Sequence, residues 1–196
     1  MERKQNVFQL TIVSMLIAIL IVQTFVPMLG YIPLGPIDVT IVHITVILAA
    51  VLFGKKTGLV IGTVWGTLSM FRAYLQPTPF NVVFLNPLIS ILPRLLVGWG
   101  SAVVFSFLKE RISTRLSYAM TAAIGTFMNT VLVLGSIYLF ASETYAKALG
   151  ISKQLLLGAL GTVVATNGII EIVASVIILP LLAIPLAKAV AKRNSI

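Results

Sequence analysis

The sequence predicts an all-α membrane protein, a bundle of six transmembrane helices with both termini in the cytoplasm. Of the 196 residues, 59% are hydrophobic and 10% are charged, which is typical of integral membrane proteins. The apolar residues form long runs, and a helix needs about 20 residues to cross a hydrocarbon core of about 30 Å. We therefore expect one domain, residues 1–196, with spans at 7–29, 38–53, 57–75, 84–108, 116–140 and 154–187.

The basic residues predict the orientation. The segments assigned to the cytoplasm carry Arg3, Lys4, Lys55, Lys56, Lys109, Arg111, Arg115, Lys188, Lys192 and Arg193, and the opposite side carries Lys147 and Lys153. Because cytoplasmic loops are enriched in Lys and Arg, both termini are placed in the cytoplasm. These residues cluster at the ends of apolar runs, without a nucleic-acid recognition motif. The net charge of +9 therefore indicates a lipid bilayer as the surroundings, and no nucleic acid as a partner.

Small residues predict close helix packing in two spans. In the first span, Ser14 and Ala18 lie four residues apart, a spacing that allows another backbone to approach closely. This surface either packs inside the bundle or binds an external partner. In the third span, glycines recur every fourth residue from Gly54 to Gly66. We expect a neighbouring helix to pack closely against them or to slide there.

The fourth span contains an arginine in the middle of an apolar run. Arg94 follows Pro93, and no acidic residue is nearer in sequence than Glu110. A charge at the bilayer centre costs at least about 2.5–3.5 kcal/mol, so intramembrane arginines normally face a bundle interior or a wet cavity. Pro93 lacks an N–H and is expected to free the carbonyl one turn earlier, which loosens the helix beside Arg94.

Further polar residues are expected to converge on Arg94. Asn129 belongs to the fifth span, and Asn167 and Glu171 share one face of the sixth. Together with residues nearer the outside they predict an outward-open, apolar-walled pocket for a small molecule. Arginine can hold a planar carboxylate with two hydrogen bonds, which favours an anionic substrate. The candidate binding residues are Arg94, Asn129, Asn167, His43, Asp38, Trp65, Arg72 and Tyr74.

Several of these residues also have a purely structural interpretation. Arg94 and Glu171 could form an ion pair that needs no ligand. His43 could be an ordinary packing residue, and Arg72 could extend its charge to the outer headgroups. Helical rise places Glu171 about 25 Å below the outer end of the sixth span, toward the inner leaflet.

Catalysis has little support in the sequence. There are one histidine and no cysteine, with no metal-ligand cluster and no Ser/His/Asp arrangement. We expect no catalytic residue, no metal and no cofactor in this chain. Ion-driven carriers usually contain carboxylate relays or repeated broken helices, and Glu171 alone fits such a role. The residues therefore indicate a protein that binds a polar solute and lacks its own energy source.

Two segments resemble the substrate-binding S components of energy-coupling factor (ECF) vitamin transporters. They are residues 38–69, with His43-Ile44 and the glycine repeat, and residues 86–99, with Pro93-Arg94. The resemblance is to the pantothenate-type branch, which includes carriers of hydroxymethylpyrimidine. It implies six helices with a vitamin site near the outer face, in the plasma membrane of a prokaryote.

The resemblance also implies partners and an energy source. A membrane-embedded T component and two cytoplasmic ATPases, which bind ATP and Mg²⁺, would supply the energy while the S component topples in the membrane. Ser14 and Ala18 would contact the T component. Pantothenate ranks first as substrate because a neutral or cationic pyrimidine lacks the anionic group that Arg94 would bind. Hydroxymethylpyrimidine or another vitamin precursor, a self-sufficient secondary carrier and a membrane enzyme remain as alternatives.

Overall fold

The computed structural model describes residues 2–32 and 38–194, and these residues are mainly helical. The helices are α1 (Glu2–Phe25), α2 (Val42–Phe53), α3 (Lys55–Leu75), α4 (Pro87–Ser90), α5 (Leu92–Leu108), α6 (Thr114–Leu149), α7 (Lys153–Val163) and α8 (Ile169–Asn194). A 3₁₀ helix spans Val82–Leu85, and a π-helical segment, Val164–Gly168, joins α7 to α8. Two short strands, β1 (Tyr31–Ile32) and β2 (Val39–Thr40), pair antiparallel with Tyr31 opposite Thr40.

Some of the helices have the length and composition of membrane spans. Within the described residues, four stretches are long and apolar enough to cross a bilayer: Val7–Phe25, Pro87–Leu108, Thr114–Leu149 and Lys153–Lys192. The helix α2 is apolar but has 12 residues, fewer than a perpendicular span needs. The class predicted from composition, an all-α membrane protein, is confirmed at this level.

Two predicted boundaries at the start of the chain are wrong. The first helix ends at Phe25 and not at residue 29, and Met28 in the following turn has a φ of 64°. The second helix begins at Val42 and not at residue 38, because residues 39 and 40 form β2. Apolar residues continue past Phe25 as far as Leu29, so hydropathy alone did not locate the end of the first helix.

The fifth helix is longer than predicted, because residues 141–149 form helix where a loop was expected. Ala141 has non-helical backbone angles (φ −143°, ψ 22°), and the helix continues beyond it to Leu149. Tyr145 and Ala146 in this last part are buried in an apolar cluster with Leu156 of α7. The polar sequence of this segment suggested a loop, but one face of the helix is covered by neighbouring elements.

The glycine repeat brings α3 and α5 together, as predicted. A Cβ atom on Gly58 would overlap the carbonyl oxygen of Gly98, and one on Gly62 would overlap the carbonyl oxygen of Arg94. Backbone therefore packs against backbone, which fixes the position of Arg94 relative to α3. Gly54 has a different role: its φ of +83°, in the turn between α2 and α3, is a conformation that favours glycine.

The first helix packs through one face. Leu16 and Leu20 of α1 are buried with Val46 of α2 and with residues of α3. Ser14 and Ala18 lie on the other side of α1 and are exposed. The alternative in which they pack inside the chain's own bundle is therefore wrong.

Candidate functional site

A cavity of about 410 Å³ lies among α3, α5, α6 and the α7–α8 junction, beside the β1–β2 pair. This volume falls within the range of about 300–1,000 Å³ that is typical of small-molecule sites. Its apolar wall includes Trp65, Phe80, Phe84, Val133, Leu134 and Ile137. Its polar lining includes Asp38, Thr40, Arg72, Arg94, Asn129, Asn167 and Glu171.

Six of the eight candidate binding residues line this cavity: Asp38, Trp65, Arg72, Arg94, Asn129 and Asn167. His43 and Tyr74 do not. His43 is fully buried, and its Nδ1 lies 3.3 Å from the Thr40 hydroxyl. Tyr74 is 72% exposed at the end of α3. His43 therefore packs behind the cavity wall, and Tyr74 points away from it.

Arg94 is buried beside the cavity, with an exposed fraction of 5%. Its Nη1 donates a hydrogen bond to the carbonyl oxygen of Ile89, which Pro93 leaves without its helical N–H donor. The guanidinium lies 5.3 Å from the Trp65 ring centroid and 5.0 Å from that of Phe84, and cations are attracted to such rings. The expected freeing of a carbonyl by Pro93 is thus confirmed, and the arginine itself uses that carbonyl.

Arg94 and Glu171 do not form the ion pair that was the structural alternative. In the described part of the chain, the ion pairs are Arg72–Asp38 and Lys153–Glu143. The Nε atom of Arg94 is buried without a hydrogen-bond partner there. A buried charge is costly unless it is paired, and Arg94 has no carboxylate partner among the described residues.

Glu171 is also buried, with an exposed fraction of 6%. Its Oε1 accepts a hydrogen bond from the backbone N–H of Thr40 at 2.6 Å. The depth estimated from the sequence is wrong, because this contact places Glu171 beside the β1–β2 pair and not toward the opposite end. The estimate assumed a straight helix that begins at the membrane surface, whereas Leu156 and Leu160 of α7 pack within the protein and a π-helical segment follows them.

One face of α3 holds the β1–β2 pair. The indole Nε1 of Trp65 donates to the Tyr31 hydroxyl at 3.0 Å, and the Ser69 hydroxyl is 3.0 Å from the same oxygen. One turn further, Arg72 Nη2 lies 3.1 Å from Asp38 Oδ2, and its guanidinium lies 4.1 Å from the Tyr31 ring centroid. Arg72 is therefore part of the cavity wall and does not simply extend to the headgroups.

Two further polar atoms in the cavity lining have unused hydrogen-bonding capacity. Asn129 Oδ1 and the Tyr145 hydroxyl are buried and have no partner among the residues that the structure describes. Buried polar groups are normally hydrogen-bonded. A ligand with donors and acceptors would supply the missing partners.

Sequence reasoning missed several lining residues, notably Tyr31, Thr40, Ser69 and Tyr145. The spacing from Trp65 would have indicated Ser69, because residues four apart share a helix face. Tyr31 and Thr40 meet through strand pairing across a loop, and Tyr145 lies in a segment that was predicted to be non-helical.

The chain matches the family model for the ECF transporter, substrate-specific component, over residues 8–183. It belongs to this family. The resemblance inferred from residues 38–69 and 86–99 is therefore confirmed. Membership in a transporter family supports the expectation that the chain is not itself an enzyme.

Two relatives are similar over most of their length. The pantothenate transporter PanT of Leuconostoc mesenteroides subsp. mesenteroides is 32% identical over 177 residues, which cover 86% of this chain and 87% of that protein. The pantothenic acid transporter PanT of Lactococcus lactis subsp. cremoris is 31% identical over 202 residues, which cover 95% of this chain and 97% of that protein. Together with the apolar helices, these similarities identify the chain as a multi-pass membrane transport protein.

Proposed function

We propose that this chain is the S component of an ECF importer that captures pantothenate at the outer face of a prokaryotic plasma membrane. The proposal is carried by the state of Arg94. Its guanidinium is buried beside the cavity and has no carboxylate partner among the described residues. An anionic substrate would supply the missing charge. Two relatives named for pantothenate transport, similar over most of the chain, support this choice.

The chemistry of pantothenate matches the lining of the cavity. Its carboxylate would bind Arg94, which can donate two hydrogen bonds to it. Its amide would meet Asn129, whose Oδ1 lacks a partner in the described structure. Its geminal methyl groups would contact the apolar wall, which includes Phe84 and Val133.

The energy for uptake would come from partner subunits. We propose six spans in a single domain with both termini in the cytoplasm, and assembly with a T component and two cytoplasmic ATPases. ATP and Mg²⁺ would bind to those ATPases and not to this chain. The exposed face of α1 around Ser14 and Ala18 offers a surface without large side chains at those two positions, suitable for close approach of the T component.

Binding to purified protein tests the role of Arg94. Isothermal titration should show that the wild type binds pantothenate much more tightly than panthenol, which carries an alcohol in place of the carboxylate. We expect Arg94→Ala to abolish pantothenate binding while circular dichroism shows retained helix content. Arg115→Ala, which removes an exposed arginine at the start of α6, is the matched control and should bind normally. Unchanged affinity in Arg94→Ala would refute the assignment.

The alternative substrates and mechanisms give different results. Hydroxymethylpyrimidine has no carboxylate for Arg94, and tight binding of this compound but not of pantothenate would favour it. A panel of B vitamins tests this directly. A self-sufficient carrier would transport alone in liposomes with a flux set by an ion gradient, whereas an S component requires the T component and the ATPases.

A further inference from the structure

A second charged group faces the same cavity as Arg94. Glu171 lines it, and its Oε1 accepts the backbone N–H of Thr40. Across residues 2–32 and 38–194, Glu171 is not a member of either ion pair. The carboxylate is thus held by a neutral backbone group and has no counter-cation in the part of the chain described.

The carboxylate has acceptor capacity that Thr40 does not use. A carboxylate has about four lone-pair sites for hydrogen bonds, and the backbone N–H and the side chain of Thr40 use at most two of them. Further hydrogen-bond donors would offset the free-energy cost of burying this carboxylate. The cavity therefore favours a substrate that places a hydroxyl or N–H group near Glu171.

Arg94 and Glu171 place a cationic and an anionic side chain in the cavity lining, and the two do not form an ion pair with each other. A substrate carboxylate is attracted to the guanidinium and repelled by the Glu171 carboxylate, so these residues favour one orientation of the bound molecule. The group directed to Glu171 must then be a hydrogen-bond donor. On the proposed function, that group is a hydroxyl at the non-acid end of pantothenate.

We propose that Glu171 is a specificity-determining residue that accepts a hydrogen bond from the hydroxylated end of the substrate. This inference rests on the proposed function. Hydrogen bonds to charged groups contribute about 1.5–3 kcal/mol, which corresponds to a preference of about ten- to a hundredfold for the hydroxylated substrate.

The test compares two ligands that share the same carboxylate. Pantothenate and N-(3,3-dimethylbutanoyl)-β-alanine, which has hydrogen in place of both hydroxyls, are titrated into purified protein. The wild type should prefer pantothenate by about ten- to a hundredfold. Glu171→Gln should reduce this preference, and Glu171→Met should nearly abolish it, mainly by weakening pantothenate binding. Glu143→Gln, which changes an exposed carboxylate, should retain the full preference.

The ratio of the two affinities separates specificity from structural support. If Glu171 only holds the backbone of Thr40, both ligands weaken equally in the variants and the ratio stays as in the wild type. That result would overturn the inference and leave the proposed function intact. Failure of the wild type to bind pantothenate at all would overturn the proposed function and the inference with it. If Glu171→Met does not fold, the ratio measured for Glu171→Gln decides between the two roles.

Discussion

At the scale of single residues, the site depends on a proline and the arginine that follows it. Pro93 cannot donate to Ile89, and the freed carbonyl accepts the Arg94 guanidinium. One side of the guanidinium is thereby fixed by the chain itself. The unpartnered Nε leaves a group that a bound anion can satisfy.

Replacing Pro93 should weaken binding without weakening the fold. In Pro93→Ala the new N–H competes with Arg94 for the Ile89 carbonyl, so the guanidinium is held less firmly. We expect the affinity for pantothenate to fall by about tenfold, the order of one charge-assisted hydrogen bond. The melting temperature should stay the same or rise, because a helical hydrogen bond becomes available.

Pro87→Ala is the matched control for this substitution. Pro87 occupies the first turn of α4, where a backbone N–H has no intrahelical partner anyway. Calorimetry and thermal melts should find this variant close to wild type. Equal effects from both proline substitutions would contradict the specific role of Pro93.

The sequence predicted those site residues whose chemistry is unusual for a membrane interior. Arg94, Asn129 and Arg72 could be identified because polar groups within apolar runs are costly. The roles of Tyr31 and Thr40 could not, since they depend on strand pairing and on a contact with α8, 131 residues away in sequence. The chemistry of a side chain can be read from its own sequence position. The cavity that the side chain lines is formed by elements that are distant in sequence.

At the scale of secondary-structure elements, the α3–α5 pair positions the site. Gly62 lies against the backbone of Arg94 itself, so the spacing of these two helices determines where the guanidinium lies. The four-residue glycine repeat predicted this packing, and the predicted third helix, 57–75, is close to the observed Lys55–Leu75. The π-helical Val164–Gly168 gave no comparable signal, because its sequence has no pattern that distinguishes it from α-helix.

Adding one methyl group at this contact should disturb both stability and binding. Gly62→Ala forces α5 away from α3, and overpacking of this kind typically costs about 1–3 kcal/mol. We expect a lower melting temperature and a reduced affinity for pantothenate, both measured on purified protein. A variant that melts and binds like the wild type would show that the helices adjust without moving Arg94.

Gly135→Ala provides the comparison for that substitution. A Cβ at this helical position meets no heavy atom within 4 Å, and alanine favours helix over glycine by up to about 1 kcal/mol. Its melting temperature should therefore equal or exceed that of the wild type, with unchanged affinity. A lower melting temperature or affinity in Gly62→Ala than in Gly135→Ala is then attributable to the α3–α5 contact.

At the scale of the whole molecule, the cavity and the exposed face of α1 are separate surfaces. No residue of α1 is among the described residues that line the cavity, whereas Ser14 and Ala18 are exposed. The elements that carry Arg94 and Glu171 pack against other helices. On the proposed function, substitutions can therefore alter substrate capture and assembly with partner subunits independently.

Leucine at either small position of α1 should stop transport and spare binding. Ser14→Leu and Ala18→Leu add bulk where another backbone is proposed to approach closely, at a distance from the cavity. Pantothenate titration should give wild-type affinity, while uptake of labelled pantothenate by cells that also express the T component and the ATPases should be lost. Gly135→Leu introduces the same leucine side chain at an exposed position with open space around it and should retain uptake. Normal uptake in both α1 variants would mean that the T component binds another face of this protein, because an interface that depends on close backbone approach cannot accept a leucine side chain.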